Sequence, residues 1–151
     1  MRVIAILSIV TLLILTSFRP AETAFCRRQG ITGYVYVVKG NQMPSPDRPA
    51  SSPRGVKTTL YVYELTNTSQ ATGQQGAFYK TVSTKLVKEI TTDDKGYFKA
   101  KLKPGWYSLF IKKGDMFYSN IFDDKNNIHP VEVKKGEWTK EEFKADYDAV
   151  Y

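Results

Sequence analysis

The feature that most constrains this chain is a series of short runs in which β-branched and aromatic residues alternate with polar ones, cut at intervals by turn residues. Ile31 to Val38 reads ITGYVYVV and Thr58 to Leu65 reads TTLYVYEL. Leu86 to Thr91, Tyr97 to Leu102, Trp106 to Ile111, Phe117 to Phe122, Val131 to Val133 and Thr139 to Tyr147 continue the series. Such side chains fit a pleated, half-buried surface, and a period of two sends successive ones to opposite faces. Leu60, Val62 and Glu64 therefore share one face, with Tyr61, Tyr63 and Leu65 on the other. Phe98, Ala100 and Leu102 alternate with Tyr97, Lys99 and Lys101. Tyr107, Leu109 and Ile111 share a face, and Phe143, Ala145 and Tyr147 alternate with Glu142, Lys144 and Asp146. No segment past residue 25 carries a convincing helical stripe. Runs spaced by about 8–12 residues predict an all-β fold, an antiparallel β-sandwich of about seven strands.

Turn residues separate the runs. Thr92-Asp93-Asp94-Lys95-Gly96 predicts a tight turn, because glycine tolerates the positive φ that such turns use. Pro104-Gly105 predicts another. Lys39 to Lys57 is different: it holds four of the seven prolines, which lack backbone donors and favour extended polyproline geometry. It reads as a long loop over 39–57, either a solvated crossover or a binding loop.

The first residues read as a targeting segment. Arg2 precedes an apolar run from Val3 to Leu15, which has signal-peptide length and falls short of the ~20 residues that span a bilayer. Ala24 offers a cleavage point before Phe25. The expected organisation is a signal peptide over 1–24 and one domain over 25–151, with no transmembrane segment after cleavage. Cys26 allows an alternative, a lipid-anchored protein. Phe25 directly before it and the distance from Leu15 both depart from that pattern.

Ile90 to Tyr107 (ITTDDKGYFKAKLKPGWY) resembles the hallmark of carboxypeptidase regulatory-like domains, a transthyretin-like (prealbumin-like) β-sandwich group. In that pattern a strand ends in Thr-Asp, turns through Gly, continues with an aromatic, and turns at Pro-Gly into a Tyr-bearing strand. Asp93 and Asp94 would bond their own turn, with Phe98 and Tyr107 filling the core. Gly40 to Pro49, Leu60 to Leu65, Ser83 to Val87 and Asn127 to Glu137 are similar to segments of small exported proteins of Gram-negative bacteria. The resemblance implies an accessory, non-catalytic module. A hydrolase relative of the fold, the hydroxyisourate hydrolase, needs several histidines and a Tyr-Arg-Gly-Ser end. This chain has one histidine and ends Tyr147-Asp-Ala-Val-Tyr151, so that activity does not carry over.

One cysteine excludes a disulfide framework within the chain and a multi-cysteine zinc site, and one histidine excludes His-pair metal motifs. No cofactor is expected. Asp123, Asp124, Asn126 and Asn127 form an oxygen-rich loop that reads either as a polar turn or as part of a calcium site, although the EF-hand frame is absent. A small hydrolase or metal-dependent site built around Asp123, Asp124 and His129 is the enzymatic alternative. Otherwise any binding surface is expected on loops, at Asn41, Gln42 and Met43 and at Asp123, Asp124, Asn126 and Asn127.

The net charge of +7 comes mainly from lysine, with Lys99, Lys101 and Lys103 alternating on one strand face. A lysine row keeps a strand soluble and unpaired. Its functional reading is an anionic partner. Export makes nucleic acid an unsuitable one and points to an anionic envelope glycan or another envelope protein, in the periplasm or at the cell surface.

Overall fold

The computed structural model describes residues 28–43 and 53–150. The segment read as a signal peptide, Phe25, Cys26 and Pro44 to Ser52 lie outside the described residues. The domain is all-β. Its strands are β1 (Gly30–Asn41), β2 (Arg54–Gly55), β3 (Thr59–Glu64), β4 (Ala71–Thr72), β5 (Phe78–Tyr79), β6 (Thr81–Val82), β7 (Leu86–Thr91), β8 (Tyr97–Lys101), β9 (Gly105–Lys113), β10 (Met116–Tyr118), β11 (Pro130–Val133) and β12 (Trp138–Val150). Each of the eight runs read from the sequence contains a strand. Twelve strands replace the expected seven or so because β2, β4, β5 and β6 are two-residue pairings, too short to show a period.

Two sheets face each other. One is four-stranded: β1 lies between β12 on one side and β2 and β8 on the other. The second is six-stranded, in the order β5-β10-β9-β3-β7, with β11 also on β9. Ile31, Val35 and Val37 of β1, Phe98 and Ala100 of β8, and Phe143 and Ala145 of β12 meet the second sheet. From there come Leu60 and Val62 of β3 and Tyr107, Leu109 and Ile111 of β9. The alternation in the sequence thus places the correct face inward on these strands. Tyr107 keeps its ring in the core and gives its hydroxyl to the Lys103 carbonyl at 2.9 Å.

The sheets are antiparallel except at one seam, where β1 and β12 run parallel, with Gly30 opposite Trp138 and Val35 opposite Phe143. An all-antiparallel sandwich is thereby corrected. Parallel neighbours need a long crossover, and the rest of the domain lies between these two strands. The tight turn read at Thr92 to Gly96 is present but joins the two sheets: β7 pairs with β3 and β8 with β1, so Asp93 to Gly96 is a corner between sheets. Asp93 Oδ1 accepts from the Lys95 and Tyr97 amides at 2.9 and 2.8 Å. Asp94 turns away to Lys57, at 3.5 Å. Thr92 fixes the corner by accepting from the Thr58 amide and donating to the Val56 carbonyl, both at 2.8 Å. Gly96 has φ +79°, and a Cβ there would lie 2.3 Å from the Val35 carbonyl oxygen. Only glycine serves at this corner.

The predicted 39–57 loop is shorter. β1 runs on through Asn41, and β2 pairs Gly55 with Tyr36 and Arg54 with Val37. β10 ends at Tyr118 rather than reaching Phe122. From there the chain leaves the sheet over 119–129 and returns as β11 on the same edge of β9.

Candidate functional site

The two loops expected to bind are largely occupied by their own structure. Asn41 Oδ1 accepts from the Met43 amide at 2.8 Å, and Gln42 Nε2 donates to the Lys39 carbonyl at 3.0 Å. Only Met43 projects freely into solvent, 58% exposed. In the second loop Asp123 is the hub. Its Oδ1 accepts from the Lys125 and Asn127 amides and its Oδ2 from the Asn127 side chain, at 2.7–2.9 Å. Partial desolvation raises the Asp123 pKa, but the hydrogen bonds from Asn127 and Lys125, with the Lys125 charge, outweigh it and leave the carboxyl below its ordinary value. Asn126 takes the left-handed backbone, φ +61°, which asparagine tolerates. Asn67 ties the loop down through the Lys125 carbonyl at 2.8 Å. Asp124 is exposed beside them. The structure therefore gathers Asp123, Asn126 and Asn127 into one turn, and no hydrogen bond joins them to 41–43 among the described residues.

His129 lies elsewhere. Its ring is 2% exposed and stacks on Phe143, with centroids 4.7 Å apart and planes 6° from parallel. Nε2 is 3.0 Å from Glu141 Oε1, and Nδ1 has no partner among the described residues. Neither Asp123 nor Asp124 bonds the ring. Its backbone, φ +40°, turns the excursion back into β11, and its amide donates to the Ile121 carbonyl at 2.8 Å. The ring is a packed core group.

A second polar cluster closes the same seam. β12 carries a bulge where its register on β1 shifts between Val37 and Lys39. The extra residue lets Asp146 and Tyr147 both meet Tyr118, a re-aiming that bulges characteristically produce. Asp146 Oδ1 accepts from the Tyr118 hydroxyl and from Asn120 Nδ2, the latter at 2.9 Å. Burial first, and the Asp146 carboxylate second, push the Tyr118 phenol well above its usual value. That makes it a poor acid and a firm hydrogen-bond donor.

The outer face of the four-stranded sheet is differently built. Tyr97, Lys99 and Lys101 of β8, Thr32, Tyr34 and Tyr36 of β1, and Trp138, Lys140, Glu142 and Lys144 of β12 share it by register. Tyr34 stacks on Tyr36 at 5.8 Å and leans on Tyr97 at 5.4 Å. Gly30 sits between Lys101 and Trp138 in the ladder. Beside it, Lys99 Nζ lies 4.4 Å from the Trp138 ring centre, a cation–π contact. A hollow of about 310 Å³ opens over Thr32 and the backbone of Gly33 and Glu141, walled by Tyr34 and Tyr97 and by Lys140 and Glu142. The Thr32 hydroxyl at its floor is 3.1 Å from the Tyr97 hydroxyl. The lysine row through Lys99 and Lys101 marks this face in the sequence, but it does not mark the aromatic half. The signal for that half is the Tyr34-x-Tyr36 spacing opposite Ile31, Val35 and Val37, together with the outward Tyr97-x-Lys99-x-Lys101.

Among the described residues no group of three or more His, Cys, Asp or Glu side chains converges to hold a metal ion. No helix among them is long and apolar enough to cross a membrane. The chain matches no protein-family model, no curated protein and no solved structure.

Proposed function

We propose that the chain is an exported, non-catalytic module of transthyretin-like type that binds a cell-envelope partner through the outer face of its four-stranded sheet. The observation that carries this reading is the outward aromatic set of Tyr34 and Tyr97, exposed, with Tyr36 and Trp138, half-buried, interleaved with lysines on one face. Exposed aromatic residues are what binding surfaces select, and lysines around them attract an anionic partner. Export rests on the short apolar run from Val3 to Leu15 and on Ala24. The Thr92-Asp93…Gly96 corner and the Tyr-bearing β9 support the transthyretin-like type, and the same export signal supports the periplasm or cell surface as the location. A catalytic reading around Asp123, Asp124 and His129 finds less support, because Asp123 serves its own turn and His129 is bonded to Glu141.

Retention on purified cell-envelope material tests the reading. Tyr34→Ala with Tyr97→Ala should abolish retention, whereas Asn41→Ala with Met43→Ala, and Asp123→Ala with Asp124→Ala, should leave it intact. The reverse pattern would move the function to the loops.

A further inference from the structure

We infer that the outer face of the four-stranded sheet takes an acidic polysaccharide, with one uronate-type ring seated in the hollow over Thr32. The inference rests on the binding-face reading above and names its ligand. The hollow offers three kinds of contact at once. The Tyr34 and Tyr97 rings, 59° apart in plane, present aromatic surface to the C–H face of a sugar. The Glu142 carboxylate and the Thr32 and Tyr97 hydroxyls offer acceptors and donors for sugar hydroxyls. Lys140, on the opposite wall, offers an ammonium for a ring carboxylate.

The surrounding charge decides between kinds of polyanion. Lys99, Lys101, Lys140 and Lys144 share the face with a single carboxylate, Glu142. Lys101 and Lys140 carry no ion pair among the described residues. Lys140 and Lys144 are four residues apart on one strand, about 13 Å at ~3.3 Å per residue. Glu142 stands between them. A nucleic-acid strand carries a phosphate at every nucleotide, ~3.4 Å apart along the axis in a duplex, and would run them over that carboxylate. A chain of hydroxyl-rich rings, each with one carboxylate on one edge, can turn that edge to lysine and its hydroxyl edge to Glu142. The flanking Trp138 with Lys99 repeats the aromatic-plus-lysine pairing for a neighbouring ring on one side; on the other, Tyr36 lies opposite Lys144, whose ammonium is 3.8 Å from Glu142.

The test uses the full protein and three probes: polygalacturonate, the same polymer fully methyl-esterified, and a single-stranded DNA oligonucleotide. Polygalacturonate should bind, more weakly as salt is raised, and esterification should weaken it by roughly tenfold or more. Tyr34→Ala and Lys140→Gln should each weaken it by about tenfold, which is ~1.4 kcal/mol, with melting temperatures unchanged. Asn41→Ala with Met43→Ala should leave it unchanged. Equal binding of the acid and the ester, or tighter binding of DNA, would overturn the polysaccharide assignment. So would no binding of polygalacturonate while envelope retention still depends on Tyr34, an outcome that leaves the binding face standing. Polygalacturonate binding that ignores both Tyr34 and Lys140 would overturn the assignment together with the face itself.

Discussion

The two sheets differ in what lies on their outer faces. On the six-stranded sheet, Tyr63, Phe110 and Phe117 pack edge to face at 5.6–6.1 Å. Tyr79, Ala71, Val82 and Ile128 join them in a second buried cluster. The residues over 65–85 and the 119–129 excursion supply that cover. On the four-stranded sheet nothing described covers the outer face, and its aromatics are tyrosines and a tryptophan, with lysines between. Phe110 is fully buried, whereas Tyr34 is 39% exposed. Strand alternation alone produces two outward faces, and among the described residues further chain buries only one. The open face carries side chains that tolerate water at one end and offer a flat apolar surface at the other.

The contrast predicts a graded series of effects. Phe110→Ala, on the covered face, should cost about 3–5 kcal/mol, read as a lowered denaturant midpoint. An unchanged midpoint would mean that the covering segments are not packed as described. Gly96→Val should cost about 2–3 kcal/mol, because it forces a β-branched residue into a positive φ against the Val35 carbonyl. Equal melting temperatures for variant and wild type would contradict the corner. Tyr118→Phe removes a buried donor to Asp146 and should cost about 1.5–3 kcal/mol.

On the open face the balance reverses. Tyr34→Ala with Tyr97→Ala should cost about 1 kcal/mol or less in stability while abolishing envelope retention. A cooperative loss of stability there would erase the distinction between the faces.

The smallest effect is a pH dependence in the loop of the covering excursion. Asp123 is held below its ordinary pKa in the folded protein. Its contribution is therefore fully present above the unfolded value of 3.8 and is lost as pH falls through the lower folded value. Melting curves of wild type and Asp123→Asn should converge as pH drops below about 4. Parallel curves throughout would show that the carboxylate does not hold the turn.

Much of this was legible in the sequence, because alternation is a local signal. Phe98-x-Ala100 and Tyr107-x-Leu109-x-Ile111 point inward as their spacing requires. The parallel pairing of β1 with β12 was not legible, since nothing in ITGYVYVV states the direction of a partner more than a hundred residues away. The two-residue strands have no period to read. For the site, proline and oxygen-rich composition drew attention to 39–57 and 123–127, yet those polar side chains are consumed in closing their own turns. His129, directly before Pro130, reads as a strand-entry residue, but neither its full burial nor its partner Glu141 has a signal in composition. The outer face needed β1, β8 and β12 in register before Tyr34, Tyr97, Trp138 and Lys140 became one surface, although Lys99 and Lys101 already marked its edge.

The most direct test of the central claim is amide chemical-shift mapping of the labelled protein titrated with envelope polysaccharide. The account predicts perturbations over Thr32 to Tyr36, Tyr97 to Lys101 and Trp138 to Lys144, with 41–43, 123–127 and His129 unmoved. Perturbations confined to those loops, or centred on His129, would contradict it.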